Sequence, residues 1–456
     1  MRRHEFDKNL QYAKFCAYGF LKDLRFYEPF LMLFFLEKGL SYIQIGALYA
    51  VREIVVNIVE IPSGILADAL GRRKTMAVSF VAYIASLIVF YHSREYMSLL
   101  FAMVAYAFGD AFRTGTHKAM IFDYLKSRNW AHLKTHYYGH TRSWSQRGAA
   151  VSALIAAALV FRHGSYAPVF LFTIVPYVLD LLLIMSYPKE LDGPRHSSTK
   201  SVRDEFRAVF QSLVSSMKSP EALRAISNQA LYTGYYKACK DYLQPILKAT
   251  AVGLPVLIAL QTQERTAIIV GVVYSALYLL TSAAARRSGR VADAFGSLVK
   301  PLNSTLMIGL AFGALSGIAY VAGVPLVAIL LYIGIYVTEN VRKPMGIAYV
   351  SERMQQESLA SALSVESQVE TVFAAAIAIV LGLLSTAFGL GAGIILVSLA
   401  CACIGYLIRL PRDGRDAPAS QNAMPSAPAQ MATTDGNRLT RPRRVHRSAV
   451  SGRPKP

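Results

Sequence analysis

The sequence predicts an all-α membrane protein with about twelve transmembrane helices, arranged as two pseudo-symmetric halves. Hydrophobic residues make up 54% of the 456 residues and charged residues only 17%, which is too little charge for a soluble protein of this length. Apolar runs of roughly 20 residues, enough to cross a bilayer, fill most of the chain up to Arg409. An internal repeat divides these runs into two sets of about six.

The apolar runs place the predicted segments, which are separated by short loops. They lie near residues 13–36, 42–66, 75–92, 97–124, 141–162, 167–187, 222–247, 266–286, 299–322, 325–348, 363–386 and 389–409. The basic start of the chain is followed by charged residues and by no small-residue cleavage site. We therefore predict no cleavable signal.

Basic residues gather in alternate loops, with groups at 72–74, 126–134 and 286–290, while the intervening loops carry few. Cytosolic loops are rich in Lys and Arg, so this asymmetry predicts a multi-pass protein of the inner (plasma) membrane with both termini in the cytosol. The net charge of +20 is explained by this placement. Nucleic-acid binding is not predicted, because no soluble basic domain exists to provide it.

Composition divides the chain into four predicted regions. Two six-helix bundles are expected over 1–187 and 221–410. The intervening 188–220 is polar and basic before it turns amphipathic, which predicts a cytosolic linker with a helix on the membrane surface. The tail over 411–456 is rich in Pro, Ala, Ser and Arg without apolar periodicity, so a disordered tail is predicted. Its arginines are suited to contact with anionic membrane lipid.

The two halves share a loop motif. The first copy reads GILADALGRRK over 64–74 and the second reads GRVADAFG over 289–296. Matched positions stand 225 residues apart, at 64 and 289, 68 and 293, and 71 and 296. Glycines permit a tight inter-helix loop, and an aspartate can accept hydrogen bonds from the N–H groups at a helix start.

With this motif the chain resembles the major facilitator superfamily, whose signature is G-x-L-A-D-x-x-G-R-R-K. The resemblance covers about residues 10–410 and implies two bundles around a central cavity, working by alternating access. In that family the loop gates the cytosolic side and does not touch the solute. The implied gating residues are Gly64, Asp68, Gly71 and Arg72, with Gly289, Asp293 and Gly296 in the second copy, which lacks the basic triplet.

Ionisable residues recur inside six predicted segments, and they are densest in the first, fourth, seventh and tenth. Such a group inside a bilayer costs at least ~2.5–3.5 kcal/mol, so it needs a partner or a wet cavity. Lys22 and Arg25 stand three residues apart and are expected to share a helix face, as are Arg25 and Glu28. In the resembled superfamily the same four helices line the cavity, which implies a polar central site.

We predict seven solute-binding residues and four proton carriers. The solute-binding residues are Lys22, Arg25, Arg113, Tyr236, Lys237, Lys240 and Arg342. The proton carriers are Asp23, Glu28, Glu53 and Asp110. The basic members slightly outnumber the nearby acids, which favours an anionic or zwitterionic solute. Two alternatives stay open: Arg25 with Glu28 also fits a structural ion pair, and Glu53, Asn57 and Glu60 also fit helix packing or gating.

These features predict a monomeric secondary active transporter of a small charged or polar solute, coupled to protons and needing no cofactor or metal. Uptake is favoured over efflux, because the fifth segment lacks the G-P-x-x-G-G-like motif of drug/proton antiporters in the resembled superfamily. A drug or metabolite efflux antiporter and a non-transporting sensor or scaffold are the alternatives. An enzyme is not predicted, because the sequence has no metal-ligand spacing, G-x-S-x-G elbow or phosphate-binding loop.

Overall fold

The computed structural model describes residues 7–114, 116–130, 134–192, 207, 220–253, 259–295, 297–353 and 359–411. The regular elements of these residues are all helices. The α-helices are α1 (Leu10–Lys22), α2 (Leu31–Glu37), α3 (Tyr42–Leu70), α4 (Arg72–His92), α5 (Tyr96–Arg113), α6 (Thr116–Ser127), α7 (Lys134–His163), α8 (Pro168–Met185), α9 (Pro220–Cys239), α10 (Leu243–Gly253), α11 (Thr262–Phe295), α12 (Val299–Val321), α13 (Pro325–Arg353), α14 (Leu359–Phe388) and α15 (Leu390–Leu407). We call the described residues up to 192 the first half and those from 220 onward the second half.

Nine helices of this described part of the chain are long and apolar enough to cross a membrane, namely α3, α4, α7, α8 and α11–α15. The predicted all-α membrane fold is therefore confirmed, while the count of twelve spans stays a prediction. The other three predicted segments, 13–36, 97–124 and 222–247, correspond to interrupted helices, since α1, α5 and α9 end at Lys22, Arg113 and Cys239.

Most of the predicted linker over 188–220 and nearly all of the tail over 411–456 lie outside the described residues. Of the linker, a 3₁₀ helix over Lys189–Asp192 is described. The predicted surface helix and the disorder of the tail therefore stay predictions, as does the division into two bundles.

The break in the first segment is stabilised by a residue of the second half. Pro29 has no N–H to continue a helical ladder, and the chain resumes helical structure in α2. The side-chain oxygen of Gln244 accepts hydrogen bonds from the backbone N–H groups of Met32 (2.8 Å) and Leu33 (3.4 Å). Its amide donates to the carbonyl oxygen of Glu28 at 2.9 Å. Backbone groups freed by the break are thus paired across the two halves.

The two halves meet along two helix pairs, α3 with α14 and α7 with α11. At the end where α3 begins, the backbones approach so closely that only glycine fits. A Cβ atom on Gly46 would overlap the carbonyl oxygen of Ala378, and one on Gly382 would meet that of Tyr42. A Cβ atom on Gly271 of α11 would overlap the Cβ of Ala157 in α7. We call this the closed end of the seam between the halves.

We expect Gly46→Val to open the closed end, because its side chain cannot fit beside Ala378. A cysteine in the cavity described below (Asn57→Cys, with the four native cysteines replaced) should then react several-fold faster with an impermeant maleimide added from that side. Gly139→Val is the control, since no described atom lies within 4 Å of a Cβ built at Gly139. Equal reaction rates in the two variants would contradict the tight seam.

Candidate functional site

A cavity of about 470 Å³ lies between the two halves. It is lined by six basic and five acidic side chains, which are Arg25, Arg52, Arg113, Lys237, Lys240 and Lys343, and Glu28, Glu53, Glu60, Asp110 and Glu370. Between these charges lie apolar and aromatic side chains, including Tyr27, Phe90, Met103, Tyr106, Phe170 and Tyr236. A small organic molecule with polar groups matches this combination of rings and convergent charges.

The cavity lies where two of the segments are interrupted. Arg25 and Glu28 stand in or beside the break between α1 and α2, and Lys240 begins a short 3₁₀ helix after α9. Irregular backbone at membrane depth is tolerated where it is buried in protein or lines a cavity. The breaks therefore coincide with the charges, which is consistent with a site rather than a lipid-facing surface.

The first charge cluster centres on Lys237. Its ammonium lies 3.0 Å from a carboxylate oxygen of Glu53 and 2.7 Å from one of Glu370. Glu53 also pairs with Arg52 at 2.7 Å. The two carboxylates and the lysine come from α3, α14 and α9, so the attraction that offsets their desolvation depends on both halves staying together.

The second cluster joins the two breaks. The ammonium of Lys240 lies 3.2 Å from Glu28 of the first half and 3.1 Å from Asp241 of its own half. Arg25 adds a looser pair with Glu28 at 3.9 Å. A movement of the backbone at either break would therefore change the ion pairs of the charged residues at the other break.

The third cluster belongs to the first half alone. Arg113 donates to Asp110 at 2.7 Å and to the hydroxyl of Tyr83 at 2.9 Å. Tyr83 in turn donates to Asp110 at 2.6 Å. This closed triangle fixes the guanidinium of Arg113 at the wall of the cavity, where charged hydrogen bonds are the strong ones.

The structure brings eight of the eleven predicted solute-binding and proton-carrying residues to this cavity. They are Arg25, Arg113, Tyr236, Lys237 and Lys240, with Glu28, Glu53 and Asp110. Lys22 and Asp23 line a separate pocket of about 270 Å³ in the first half instead. The expectation that Lys22 shares a helix face with Arg25 does not hold, because α1 ends at Lys22 and helical spacing stops there.

Arg342 is also kept apart from the cavity. It is fully buried, and its guanidinium donates to the backbone oxygen of Leu302, to both oxygens of Asn228 and to the hydroxyl of Thr305. The neighbouring Lys343, about 100° further round the helix, lines the cavity in its place. We therefore do not retain Arg342 in the proposed site.

Four charged residues of the site were not among the predicted site residues, namely Arg52, Glu60, Lys343 and Glu370. The signal for Glu60 was present, since Glu53, Asn57 and Glu60 follow each other at spacings of four and three and all line the cavity. The signal for Glu370 was weaker, because its helix, α14, is not among the four that the resemblance implies. Glu370 reaches the site through the packing of α14 against α3 and α9.

In the first copy of the loop motif, Gly71 is the one residue between the end of α3 and the start of α4. Gly71 has φ +95, a conformation that favours glycine. Beside it, the backbone N–H of Arg73 donates to Asp192 at 2.9 Å, and Arg72 pairs with Asp123 of α6 at 2.5 Å. The motif thus ties the start of α4 to other elements of the first half.

The other predicted gating residues differ from the expected loop. Both helices continue through the motif, so Gly64 lies inside α3 and Gly289 inside α11. No described atom lies within 4 Å of a Cβ added at either glycine. Asp293 is exposed on α11. The side chain of Asp68 and the whole of Gly296 lie outside the described residues.

We expect Gly71→Ala to lower the free energy of unfolding by about 1–3 kcal/mol, because a side chain is strained at this backbone conformation. The Cβ would also meet the carboxyl carbon of Asp192 at 3.1 Å. Gly64→Ala, in the same motif but helical, should be neutral or stabilising by up to about 1 kcal/mol. Denaturant unfolding of the two purified variants checks this, and equal stabilities would contradict it.

Comparison with known proteins gives consistent matches. The family model for the Major Facilitator Superfamily matches residues 23–365. A protein of Bacillus subtilis (strain 168), described as an uncharacterized MFS-type transporter, YxaM, is 23% identical over 395 residues, which are 82% of this chain and 88% of that protein. The crystal structure of the nucleoside transporter NupG matches with a TM-score of 0.65 at 14% identity, over 88% of this chain and 95% of that one. A POT family transporter in complex with a thioalcohol conjugated peptide gives 0.65 at 14%, over 87% and 95%.

Proposed function

From its membership of the Major Facilitator Superfamily, which makes this chain a multi-pass membrane transporter and not an enzyme, we propose that it carries a small zwitterionic organic solute by alternating access, coupled to protons. We further propose that it works as a monomer in the plasma membrane with both termini in the cytosol. The basic loops listed above support that orientation. The closed end of the seam would then face outward.

The observation that carries this proposal is the pairing of charges across the cavity. Lys240 is held by Glu28 and Lys237 by Glu53, each lysine from the second half and each glutamate from the first. A solute carboxylate can take the place of such a glutamate without leaving the lysine unpaired. The displaced glutamate then binds the solute's ammonium or takes a proton, so binding changes the contacts between the halves.

The balance of charge favours a zwitterion over a simple anion. With Lys22 and Arg342 elsewhere, the predicted cationic surplus shrinks to six basic against five acidic side chains. The cavity volume of about 470 Å³ is in the range of sites for small organic ligands. The similar structures are named for nucleosides and a peptide conjugate, which are also small polar organic molecules.

The binding part of the proposal is tested with the purified protein. We expect zwitterionic solutes, from a panel that also contains anions and cations of matched size, to raise the melting temperature. Lys240→Gln and Arg113→Gln should abolish that rise, while Lys126→Gln, an exposed control on α6, should preserve it. An undiminished rise in both cavity variants would remove the site assignment.

The transport part is tested in proteoliposomes to which the solute identified by the melting screen is added from outside. Uptake should increase when the outside is made acidic and should fall when a protonophore collapses the gradient. Uptake that does not depend on the pH gradient would contradict proton coupling but would still support a carrier. Binding without any flux would instead favour a sensor, an alternative that the mutual pairing of the cavity charges keeps open.

A further inference from the structure

A buried carboxylate in the first half takes no part in the site described above. Asp180 of α8 is 0% exposed, and neither of its carboxylate oxygens has a hydrogen-bond partner among the described residues. An unpaired charge at this depth is expensive, so an ionisable residue inside a membrane span that lacks a partner indicates function. Asp180 is the single charged residue of α8, whose other residues are mainly apolar.

The groups that act on Asp180 come from several elements. The carboxyl group of Asp180 interacts electrostatically with the charged side chains of Lys22, Asp23 and Arg113. The phenol groups of Tyr18 and Tyr187 also interact with it. The helices α4 and α7 also pack against α8.

Each of these cations already has another carboxylate. Lys22 bonds Asp23, with 3.2 Å to both oxygens, and Arg113 bonds Asp110 at 2.7 Å. Asp23 and Asp180 therefore both interact with the single ammonium of Lys22, the first by direct contact and the second electrostatically. In this conformation Asp23 holds it, and Asp180 can avoid the cost of an unpaired charge by being protonated.

The position of Lys22 makes an exchange between the two carboxylates feasible. Lys22 is the last residue of α1 and Asp23 is its C-cap, immediately before the break in the first segment. Both side chains line the separate pocket of about 270 Å³, whose other walls include the polar side chains of Thr141 and Ser145. A polar pocket of that size holds water, so a carboxylate released by Lys22 there stays solvated.

We propose that Asp180 is a proton-binding site of this transporter, separate from the central cavity, and that it exchanges Lys22 with Asp23 as it loads and unloads. In the loaded state Asp180 carries the proton and Lys22 pairs with Asp23. On unloading, the O–H bond of Asp180 breaks and the proton passes to water. The ammonium of Lys22 then moves to the Asp180 carboxylate, and Asp23 is left charged in the wet pocket. This inference rests on the proposed function, to which it adds the place of the proton.

The experiment needs no solute. Infrared difference spectra of the purified protein in lipid nanodiscs, taken between acidic and alkaline pH, should contain the C=O band of a protonated carboxyl group. Asp180→Asn should lose that band, while Glu95→Gln, which replaces an exposed carboxyl, should keep it. An unchanged band in Asp180→Asn would overturn the proposal.

A second variant tests the exchange and covers the case in which Asp180→Asn does not fold. In Lys22→Met no ammonium is present to stabilise the deprotonated carboxylate of Asp180. The C=O band should therefore persist to a pH about 1–3 units higher than in the parent protein. A band that disappears at the parent pH would show that Lys22 is not the exchanging partner. Purified Asp180→Asn should still bind solute in the melting assay. In proteoliposomes, however, its solute uptake should no longer respond to the pH gradient. Loss of solute binding in the parent itself would instead count against the proposed function.

Discussion

Lys237→Met is expected to lower the free energy of unfolding by about 3 kcal/mol. This is the lower end of the range for breaking a buried pair, since the lysine side chain is 32% exposed. The loss falls mainly on Glu370, whose carboxylate would no longer face an ammonium, whereas Glu53 keeps its pair with Arg52. Denaturant unfolding of the purified protein in detergent measures the difference.

A double variant separates this explanation from a general loss of packing. Lys237→Met with Glu370→Gln should recover most of the stability, because the orphaned charge is gone. Lys237→Met with Glu53→Gln should not, because it leaves Glu370 unpaired and also removes the partner of Arg52. Lys126→Met serves as the exposed control. Equal stability of the single and both double variants would contradict the charge cluster, and the recovered double variant should still fail to bind solute.

Arg342→Met is expected to cost about 3–5 kcal/mol of stability while leaving solute binding intact in the folded protein. Hydrogen bonds to a charged group contribute about 1.5–3 kcal/mol each, and Arg342 donates to groups on both α9 and α12. Removal of a buried cation offsets part of that loss. Arg342→Lys should not rescue it, because an ammonium lacks the planar fork that reaches both helices.

The adjacent lysine provides a reciprocal control. Lys343 lines the cavity and its side chain is 47% exposed, with a loose pair to Glu339 at 3.9 Å. Lys343→Met should therefore change stability little and weaken solute binding. Melting curves with and without solute measure both effects. If Arg342→Met melted normally but no longer responded to solute, Arg342 would have to be returned to the binding site.

The fold class followed from the sequence because a bilayer leaves few options. Long apolar runs must satisfy their backbone groups internally, so they form helices, and the motif of residues 64–74 indicated the family that the match over 23–365 confirmed. Hydropathy was a poorer guide to the charged segments. The helices missing from the nine candidate spans belong to predicted segments that contain Arg25, Asp110 and Lys240.

The site was only partly predictable, for reasons that differ between residues. Lys22 lies outside the cavity because spacing arguments assume a continuous helix, and α1 ends there. Arg342 lies outside the cavity because a charge in a cavity-lining helix can still face the interior of its own half. Asp180 was not predicted, since its lack of a hydrogen-bond partner is visible only in the fold, and the charges that act on it come from distant parts of the chain.

The bonds of Gln244 have a consequence for how the two halves can move. If they rock against each other as rigid bodies divided at the linker, the backbone groups of Met32 and Leu33 lose their acceptor in every cycle. That loss is avoided when α2 travels with the second half, which it contacts through α10. The mechanical boundary would then pass through the kink near Pro29, so α1 and α2 would belong to two different moving parts.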